Sequence, residues 1–529
     1  MPCRLFLVLL VAAALAGCAS LPPGSDFPKL ASSALAHPEE TRVGKQFADA
    51  TLKHHGNSGF RLLTLGVDGF LTRVQMANSA ERTLDLQYFI FRADETGQLL
   101  TEAVLRAADR GVRVRVLVDD GETIAGDEQL VALDSHPLIE VRIFNPFSYR
   151  GHSSLLRSIE FVVSSSRLDY RMHNKLMVVD NAVALIGGRN VGDQYFQVDP
   201  QGQVADDDVF AVGAVVKELS ATFDQYWNSA MAIPVRALAK GPTSDVALAE
   251  YRKVLKAHGR QLGADGADYA ARVATGEPLG GMVSGRLPLV WAHAQLVCDS
   301  PEKKQVDKEG MVGKLMHRPV EKAVAAAQSE LLMVTPYFIP GDEGMRLFAD
   351  LRKRNVRVRV LTNSVETAAV LVAQSGYMHY RLPLLEEGVE IYEMRALPGN
   401  ARGSGETAKM TRYGNYSLHA KLFVLDRRRL FIGSMNFDQR SLHLNTEIGL
   451  IIDSPVLAQQ TAARFESMVS PPNSYELALL PRDGKRSARL VWRTQQDGTA
   501  VEYDKEPARS GGQRLEVELL SLLPLDDEL

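Results

Sequence analysis

The sequence predicts a layered α/β protein made of two similar domains, and three observations support this fold class. The chain has 529 residues, which is more than one ordinary hydrophobic core accommodates. Blocks of sequence recur in the same order and at nearly constant separation in the two halves. Within each half, runs rich in β-branched residues alternate with segments of helical spacing. We therefore interpret the chain as an internal duplication.

Three pairs of matching blocks predict the first three strands of each half. Runs such as VRVRVLV are apolar and β-branched, which favours buried strands. The pairs are LDLQYFIF with LMVTPYFIP (84–91 and 332–340), RGVRVRVLVDD with RNVRVRVLTNS (110–120 and 354–364), and LIEVRIFNP with GVEIYEMRA (138–146 and 388–396). Helices are predicted between the first two strands, where LLTEAVLRAADRG and MRLFADLRKRN occupy the same slot.

A hairpin with a recurring frame completes each half. The stretch HNKLMVVDNAVALIGGRN covers 173–190, and HAKLFVLDRRRLFIGSMN covers 419–436. Both have the form H-x-K-x4-D-x6-G-[G/S]-x-N, and a helix candidate follows each one, at 214–230 and 455–470. A single H-x-K pair is usually an ordinary surface strand, but two complete frames favour a function.

These patterns divide the chain into six segments. Residues 1–17 have an early arginine and an apolar run too short for a comfortable membrane span, which is typical of a secretory signal. The other segments are a tether (18–60), a first domain (61–235), a linker with some helix (236–285), a second domain (286–475) and a C-terminal extension (476–529). We expect the leucine-rich end of the extension to pack on the second domain, with membrane contact as the alternative.

The run LAGC at 15–18 looks like a bacterial lipobox, which would make Cys18 a lipid-modified first residue after cleavage. The alternative is an uncleaved anchor helix. We expect a protein held at a membrane of the bacterial cell envelope and facing the periplasm. Because no aspartate follows Cys18, the outer membrane is favoured. Cys3 is lost with the signal and Cys298 has no partner, so no intrachain disulfide is expected.

Charge and motif composition argue against two classes of function. The formal charge of −4 gives no support for a nucleic-acid coat, which needs a basic face, so we expect no nucleic-acid partner. Each frame offers one histidine with a lysine, which is not a zinc ligand, and no cysteine cluster joins it. We therefore expect no metal and no other cofactor.

The two frames supply the candidate catalytic residues. Side chains two apart on a strand share a face, so the histidine and lysine of each frame point the same way. The two pairs are His173 with Lys175 and His419 with Lys421. The aspartates of the frame are also candidates, although their opposite parity and position at the turn favour a structural role. These aspartates are Asp180 and Asp426.

The ends of the frames predict a phosphate-binding surface. Gly188 and Ser434 lack bulk, so a ligand can approach the backbone there. Asn190 and Asn436 can donate amide hydrogens to an anion. Two such sites facing each other suit a phosphodiester. One imidazole can attack phosphorus while the other protonates the leaving oxygen, and lysine and asparagine spread the developing charge.

A nucleophilic histidine needs an acceptor that fixes its other ring nitrogen. In LNTEIGLII, Glu447 lies on a following strand and is a plausible partner for His419. The first half has VADDDVFAVG in that slot, where Asp206 matches Glu447 better than Asp208 does. Both carboxylates join the candidate catalytic set.

At these hairpins the sequence resembles the phospholipase D superfamily, whose signature both frames match without a departure. The resemblance covers about 61–475, and the stretches RMHNKLMVVD, SLHAKLFVLD, FIGSMNFDQRS and LNTEIG are most similar to bacterial cardiolipin synthases of the short C type. It implies two phospholipase D-type domains packed about a pseudo-two-fold axis, with the active site at their interface.

The resemblance also implies an activity. It is phosphatidyl transfer through a phosphohistidine without a metal, with His173 as nucleophile and His419 as acid. The implied donor is phosphatidylglycerol or phosphatidylethanolamine, the acceptor is phosphatidylglycerol, and the product is cardiolipin. Lipidated Cys18 would hold the site near these membrane lipids. The alternatives are hydrolysis to phosphatidic acid, a nuclease using the same motif, and a non-enzymatic lipoprotein. The sequence leaves the oligomeric state undetermined.

Overall fold

The computed structural model describes residues 21–121, 127–151, 153–198, 203–239, 244–258, 276–308, 315–396, 416–480 and 488–522. The expected signal segment and Cys18 lie outside these ranges.

The first half contains nine described strands and eight described α-helices. Its strands are β1 (Ser58–Leu63), β2 (Thr83–Tyr88), β3 (Arg113–Asp119), β4 (Ile139–Phe144), β5 (Leu176–Val179), β6 (Val183–Gly187), β7 (Gln203–Ala205), β8 (Asp208–Gly213) and β9 (Ala232–Pro234). Its helices are α1 (Arg42–Lys53), α2 (Gly66–Ser79), α3 (Glu95–Asp109), α4 (Asp127–Asp134), α5 (Ser154–Val163), α6 (Ser165–Leu168), α7 (Ala214–Asn228) and α8 (Asp245–His258).

The second half repeats this plan and then extends it. Its strands are β10 (Val290–Cys298), β11 (Glu330–Val334), β12 (Arg357–Asn363), β13 (Glu390–Met394), β14 (Tyr416–Leu418), β15 (Leu422–Leu425), β16 (Arg429–Gly433), β17 (Ile448–Asp453), β18 (Ser474–Leu480), β19 (Arg489–Gln496) and β20 (Thr499–Tyr503). Its helices are α9 (Pro278–Val283), α10 (Lys303–Lys308), α11 (His317–Ala325), α12 (Gly341–Lys353), α13 (Leu371–Glu386), α14 (Gln439–His443), α15 (Pro455–Met468) and α16 (Gly511–Leu520).

Strand pairing gives the same order in both halves. The first half runs β4-β3-β2-β5-β6-β8-β1, and the second runs β13-β12-β11-β15-β16-β17-β10. In each half the first three strands are parallel and the rest are antiparallel. The predicted fold class, two similar α/β domains, is therefore confirmed. The end strands β1 and β10 also pair with each other, so one hydrogen-bonded sheet passes through both halves.

Three apolar clusters fill the spaces between these layers. One lies on the outer face of each sheet, beneath helices such as α3 in the first half and α12 in the second. The third lies between the two halves, where α7 and α15 contribute side chains including Trp227 and Phe465. This central cluster joins the domains through a shared core, which fixes the hairpins of the two halves relative to each other.

The tether prediction is wrong for the described residues up to 60. Helix α1 buries Val43 and Phe47 in the outer core of the first half. Further upstream, the Lys29 amine donates to the backbone oxygens of Ser229 and Ala232 at 2.7 and 2.9 Å. The segment therefore packs as part of the first domain. Within the expected linker, helix α8 is present where a helix was predicted.

The boundary predicted at 475 is also wrong, because it cuts through β18. This strand pairs with β13 and is followed by β19 and β20, so the second sheet continues into the C-terminal extension. Helix α16 then packs on α13, where Val517 is fully buried. The expected packing of the tail on the second domain is thus present at Val517, while Leu515 and Leu519 are more than half exposed.

Candidate active site

The histidine of each half is positioned by backbone contacts with the other half. The His173 amide donates to the Thr446 carbonyl at 2.9 Å, and the His419 amide donates to the Ala205 carbonyl at 2.8 Å. Near His419, strands β7 and β14 also form a parallel pair between the halves. Each histidine therefore lies beside the residue that precedes a carboxylate of the opposite domain.

This arrangement crosses the carboxylate partners. The Nδ1 atom of His173 lies 2.9 Å from Glu447 Oε2, and Nδ1 of His419 lies 2.6 Å from Asp206 Oδ2. The pairing of Glu447 with His419 that we expected from the sequence is therefore wrong. Both carboxylates belong to the site, but each one serves the histidine of the other domain. The physical reason is the parallel pairing between halves, which links residues more than 200 positions apart.

Glu447 is held by hydroxyl groups as well as by His173. The Ser441 hydroxyl donates to Glu447 Oε1 at 3.0 Å, and the Ser434 hydroxyl donates to Oε2. Burial raises the pKa of Glu447 to about 7, although the nearby Lys175 amine opposes this shift. Ser434 therefore orients the carboxylate, and its expected role in binding substrate phosphate does not fit this geometry.

Asp206 has a different environment. Burial alone would raise its pKa, but His419 and Lys421 outweigh burial and lower the pKa of Asp206 to about 2. The neighbouring Gly188 makes room for it, because a Cβ atom on Gly188 would lie 2.1 Å from Asp206 Oδ1. The space at Gly188 is thus filled by the carboxylate, and the expected approach of a ligand to this backbone is wrong.

The two asparagines of the frames also differ. Asn190 is fully buried, accepts from the Ile90 amide at 3.1 Å and donates to the Tyr195 hydroxyl at 3.0 Å. Its amide is therefore committed to the protein, contrary to the expectation that it binds phosphate. Asn436 is 4% exposed, and its Oδ1 atom has no hydrogen-bond partner among the described residues. That oxygen is an acceptor and cannot itself hold a phosphate, so donation by the Asn436 amide nitrogen to a phosphate stays a prediction.

The lysines complete a compact charged cluster. Each lysine amine donates to the backbone oxygen of the histidine two residues before it, Lys175 to His173 and Lys421 to His419. Burial lowers the pKa of Lys421 to about 8 and also lowers that of Lys175. Desolvated amines of this kind interact strongly with an anion that enters the site.

Both imidazoles are held in their neutral form. Burial and then the charges of Lys175 and Lys421 lower the pKa of His173 well below its ordinary value. Burial and Lys421 lower the pKa of His419 to about 3, against the opposing effect of Asp206. A neutral imidazole that donates its Nδ1 hydrogen to a carboxylate keeps a lone pair on Nε2, which is the state required of a nucleophile or a base.

The frame aspartates lie outside this cluster, at the hairpin turns. Asp180 and Asp426 have positive φ angles of 53° each. The Asp180 carboxylate accepts three backbone N–H groups at the start of β2, and Asp426 accepts three at the start of β11. These contacts make both residues structural, as the turn position predicted, and their inclusion in the catalytic set is a correction.

Sequence reasoning missed three side chains at the site. The rings of Phe89 and Tyr195 stand edge-on to His173 and His419, with centroid separations of 5.0 and 5.3 Å. Ser441 is the third, through its bond to Glu447. Phe89 lies just after β2, and the other two lie five residues after the frame asparagines. Matching positions in the two halves was the signal that could have found Tyr195 and Ser441.

Within the described ranges, no group of three or more His, Cys, Asp or Glu side chains is placed to hold a metal ion. None of the helices in these ranges combines the length and the apolar character needed to cross a bilayer.

Comparisons with known proteins agree with this architecture. A family model described as "Cardiolipin synthase, PLD-like domain" matches residues 74–227 and 320–469. Cardiolipin synthase C of Escherichia coli (strain K12) is 37% identical over 482 residues, which cover 90% of this chain and 97% of that protein. The major cardiolipin synthase of Bacillus subtilis (strain 168) is 26% identical over 78% of this chain and 70% of that protein.

A solved structure supports the fold. The phosphatidylserine synthase of Haemophilus influenzae Rd KW20 covers 82% of this chain and 92% of its own, with a TM-score of 0.50 and 14% identity. The family model and the 37% identical relative show that the chain is a two-domain member of the phospholipase D superfamily. Within that superfamily, it belongs to the cardiolipin synthase family.

Proposed function

We propose that this protein is a phosphatidyltransferase that makes cardiolipin from phosphatidylglycerol and a second phospholipid. The observation that carries the proposal is the pair of crossed imidazole–carboxylate contacts, His173 with Glu447 and His419 with Asp206, gathered around two buried lysines. The names and extent of the similar proteins support the choice of cardiolipin as product.

The first step forms a covalent intermediate. Nε2 of His173 attacks the phosphorus of the donor phospholipid, a P–N bond forms, and the P–O bond to the headgroup alcohol breaks. His419, protonated as the anionic phosphodiester binds beside it, gives its proton to the leaving oxygen. Glu447 stabilises the cation that develops on His173. We assign the attack to His173 because the family resemblance implies that order.

The second step uses the same groups in reverse. His419 is now neutral and accepts the proton of a terminal hydroxyl of phosphatidylglycerol. That oxygen attacks phosphorus, the P–N bond breaks, and the phosphatidyl group is transferred to give cardiolipin. Lys175 and Lys421 stabilise negative charge on the non-bridging oxygens in both transition states, and Asn436 is the remaining amide candidate for this contact.

The lipid chemistry agrees with an envelope location. A lipid anchor on Cys18 would keep the catalytic cleft close to phosphatidylglycerol and phosphatidylethanolamine headgroups and raise their effective concentration. We propose a periplasm-facing protein on a bacterial envelope membrane, with the outer membrane favoured.

The test is lipid mass spectrometry after expression in a strain without cardiolipin. We expect cardiolipin with the wild type and none with His173→Ala or His419→Ala. Accumulation of phosphatidic acid without cardiolipin would identify a hydrolase instead. Unchanged phospholipids together with cleavage of DNA by the purified protein would overturn the lipid proposal in favour of a nuclease.

A further inference from the structure

Helix α5 presents its apolar face to solvent. Five side chains at positions i, i+1, i+4, i+7 and i+8 form one stripe about 120° wide at 100° per residue. They are Leu155 (67% exposed), Leu156 (47%), Ile159 (50%), Val162 (72%) and Val163 (68%). No residue of this helix is buried. An amphipathic helix on a globular protein normally turns such a stripe toward the core, so this orientation is inverted.

The polar face of α5 attaches the helix to the protein. The Glu160 carboxylate accepts the Ser148 and Tyr149 amides at 2.6 and 2.7 Å. The Arg157 guanidinium donates to the Asp120 carbonyl and lies 4.1 Å from the centre of the Phe147 ring. The helix is therefore held in a defined orientation with its apolar stripe outward.

These attachments place α5 at the carboxyl end of β3, in the sheet that carries His173. Arg157 reaches the loop directly after β3, and the last residue of β3, Asp119, accepts the Met172 amide at 2.8 Å. Met172 precedes the candidate nucleophile His173. The exposed stripe and the catalytic histidine thus depend on the same loop at the carboxyl end of β3.

We propose that the apolar face of α5 is a membrane-docking surface that inserts into the outer part of a phospholipid bilayer beside the catalytic cleft. The proposal rests on the proposed function, because that function requires substrates taken from a bilayer. Such helices bury their apolar face by about 5–10 Å at the headgroup boundary.

The charges around the stripe favour an anionic lipid surface over a protein partner. Glu160 is the one acidic residue of α5, and it is turned inward. At the following helix, the amine of the half-buried Lys304 donates to the Ser166 carbonyl at 2.6 Å. The outward face of α5 therefore presents no carboxylate that would repel anionic headgroups.

The first test measures insertion directly and does not depend on catalysis. The full chain carrying Val162→Trp is added to vesicles of phosphatidylglycerol and phosphatidylethanolamine that contain brominated acyl chains. We expect quenching of tryptophan fluorescence beyond that of the wild type. The matched control is Val246→Trp, because Val246 on α8 is 71% exposed. The residue before α8 donates its amide to the Ser135 hydroxyl just before β4, so α8 lies at the amino end of that strand, away from α5. Equal quenching in the two variants would overturn the proposal.

The second test compares two forms of substrate. For Leu155→Glu combined with Val162→Glu, we expect the ratio of the transfer rate on vesicles to that on detergent-dispersed phospholipid to fall at least tenfold, while Val246→Glu keeps the wild-type ratio. An equal loss on both substrates would contradict docking. If the wild type makes no cardiolipin on either substrate, the proposed function fails, and the fluorescence test still decides the docking surface.

A second copy of the chain is the competing occupant of this face. If Val162→Trp shows no added quenching and the double variant converts a dimer into a monomer in analytical ultracentrifugation, the surface is a protein interface and membrane docking is refuted.

Discussion

The two half-sites carry the same sequence frame but have different surroundings. In one, His173 meets a glutamate whose carboxylate also accepts two serine hydroxyls. In the other, His419 meets an aspartate that fills the space left by a glycine. The pKa of Glu447 is raised to about 7, while that of Asp206 is lowered to about 2. The comparison teaches that the duplication has produced two imidazoles with unequal electrostatic support, which suits one attacking role and one proton-transfer role.

The largest expected effect comes from removing either imidazole, and the leaving group separates their roles. With natural phospholipid donors, His173→Ala and His419→Ala should each reduce transfer by about 10⁴-fold or more. A phosphodiester with a nitrophenol leaving group needs no general acid. On that substrate His419→Ala should still release a burst of nitrophenol in stopped-flow absorbance, and His173→Ala should not. A burst in His173→Ala alone would reverse the two assignments.

The next effect compares the carboxylates. Asp206 is ionised throughout the physiological range, so Asp206→Asn should lower the transfer rate by about 100- to 1000-fold at every pH from 5 to 8. Glu447→Gln imitates the protonated form of a group whose pKa is about 7, so its deficit relative to the wild type should be small at pH 5 and grow as the pH rises. Parallel pH–rate profiles for the two variants would refute the inequality of the half-sites.

The same raised pKa predicts a stability effect of definite sign. The folded state favours protonated Glu447. The stabilisation of the fold by this raised pKa is therefore fully present below 4.5, the ordinary pKa of glutamate, and is lost as the pH rises through 7. Glu447→Gln carries no ionisation cost. Its free energy of unfolding should therefore rise relative to the wild type by about 3 kcal/mol between pH 4.5 and pH 8, measured by urea denaturation. A difference that is constant with pH would contradict the raised pKa.

A smaller effect is expected where the frames differ by one residue. Gly188→Ala brings a Cβ atom within 2.1 Å of Asp206 Oδ1, so the carboxylate must move and the transfer rate should fall by about 100-fold. Ser434→Ala removes one of the donors to Glu447 and should lower the transfer rate by about tenfold. Glu447 is only partly ionised near pH 7, so the lost hydrogen bond contributes about 1.5 kcal/mol, the lower end of the range for a charged acceptor. If both variants lose activity equally, the support of the two carboxylates is equivalent.

The smallest catalytic effect is expected at the hairpin turns. Asp180 is fully buried and Asp426 is partly exposed, although each accepts three backbone amides. Asp180→Ala should destabilise folding by about 3 kcal/mol and Asp426→Ala by about 1–2 kcal/mol in thermal unfolding. The transfer rate of the folded protein should change by less than fivefold. A loss of activity as large as that of the histidine variants would return these aspartates to the catalytic set.

Local sequence patterns predicted much of this molecule, because the relevant physics is local. β-branched runs predicted the buried strands. Parity within a strand was the wrong reason to pair His173 with Lys175, because both residues lie just before β5, although both side chains are buried at the site. The turn position of Asp180 predicted its structural role. The fold class followed from comparing the halves, which needs no knowledge of distant contacts.

The crossed carboxylate partners could not be predicted in this way. The bond between His173 and Glu447 depends on the Met172–Thr446 bridge between domains, and neither residue carries a sequence signal for it. Likewise, Gly188 was interpreted as space for a ligand, but only the packed structure shows that Asp206 occupies that space. Contacts between two domains leave no repeating pattern of residues in the sequence, so they cannot be predicted from it in this way.

The antiparallel pairing of β1 with β10 has a consequence for turnover. Backbone hydrogen bonds and a shared apolar core join the two halves. A hinge motion that separated the halves would break the hydrogen bonds and expose the core. A two-tailed donor would therefore have to enter, and a four-tailed product leave, while the two halves stay joined.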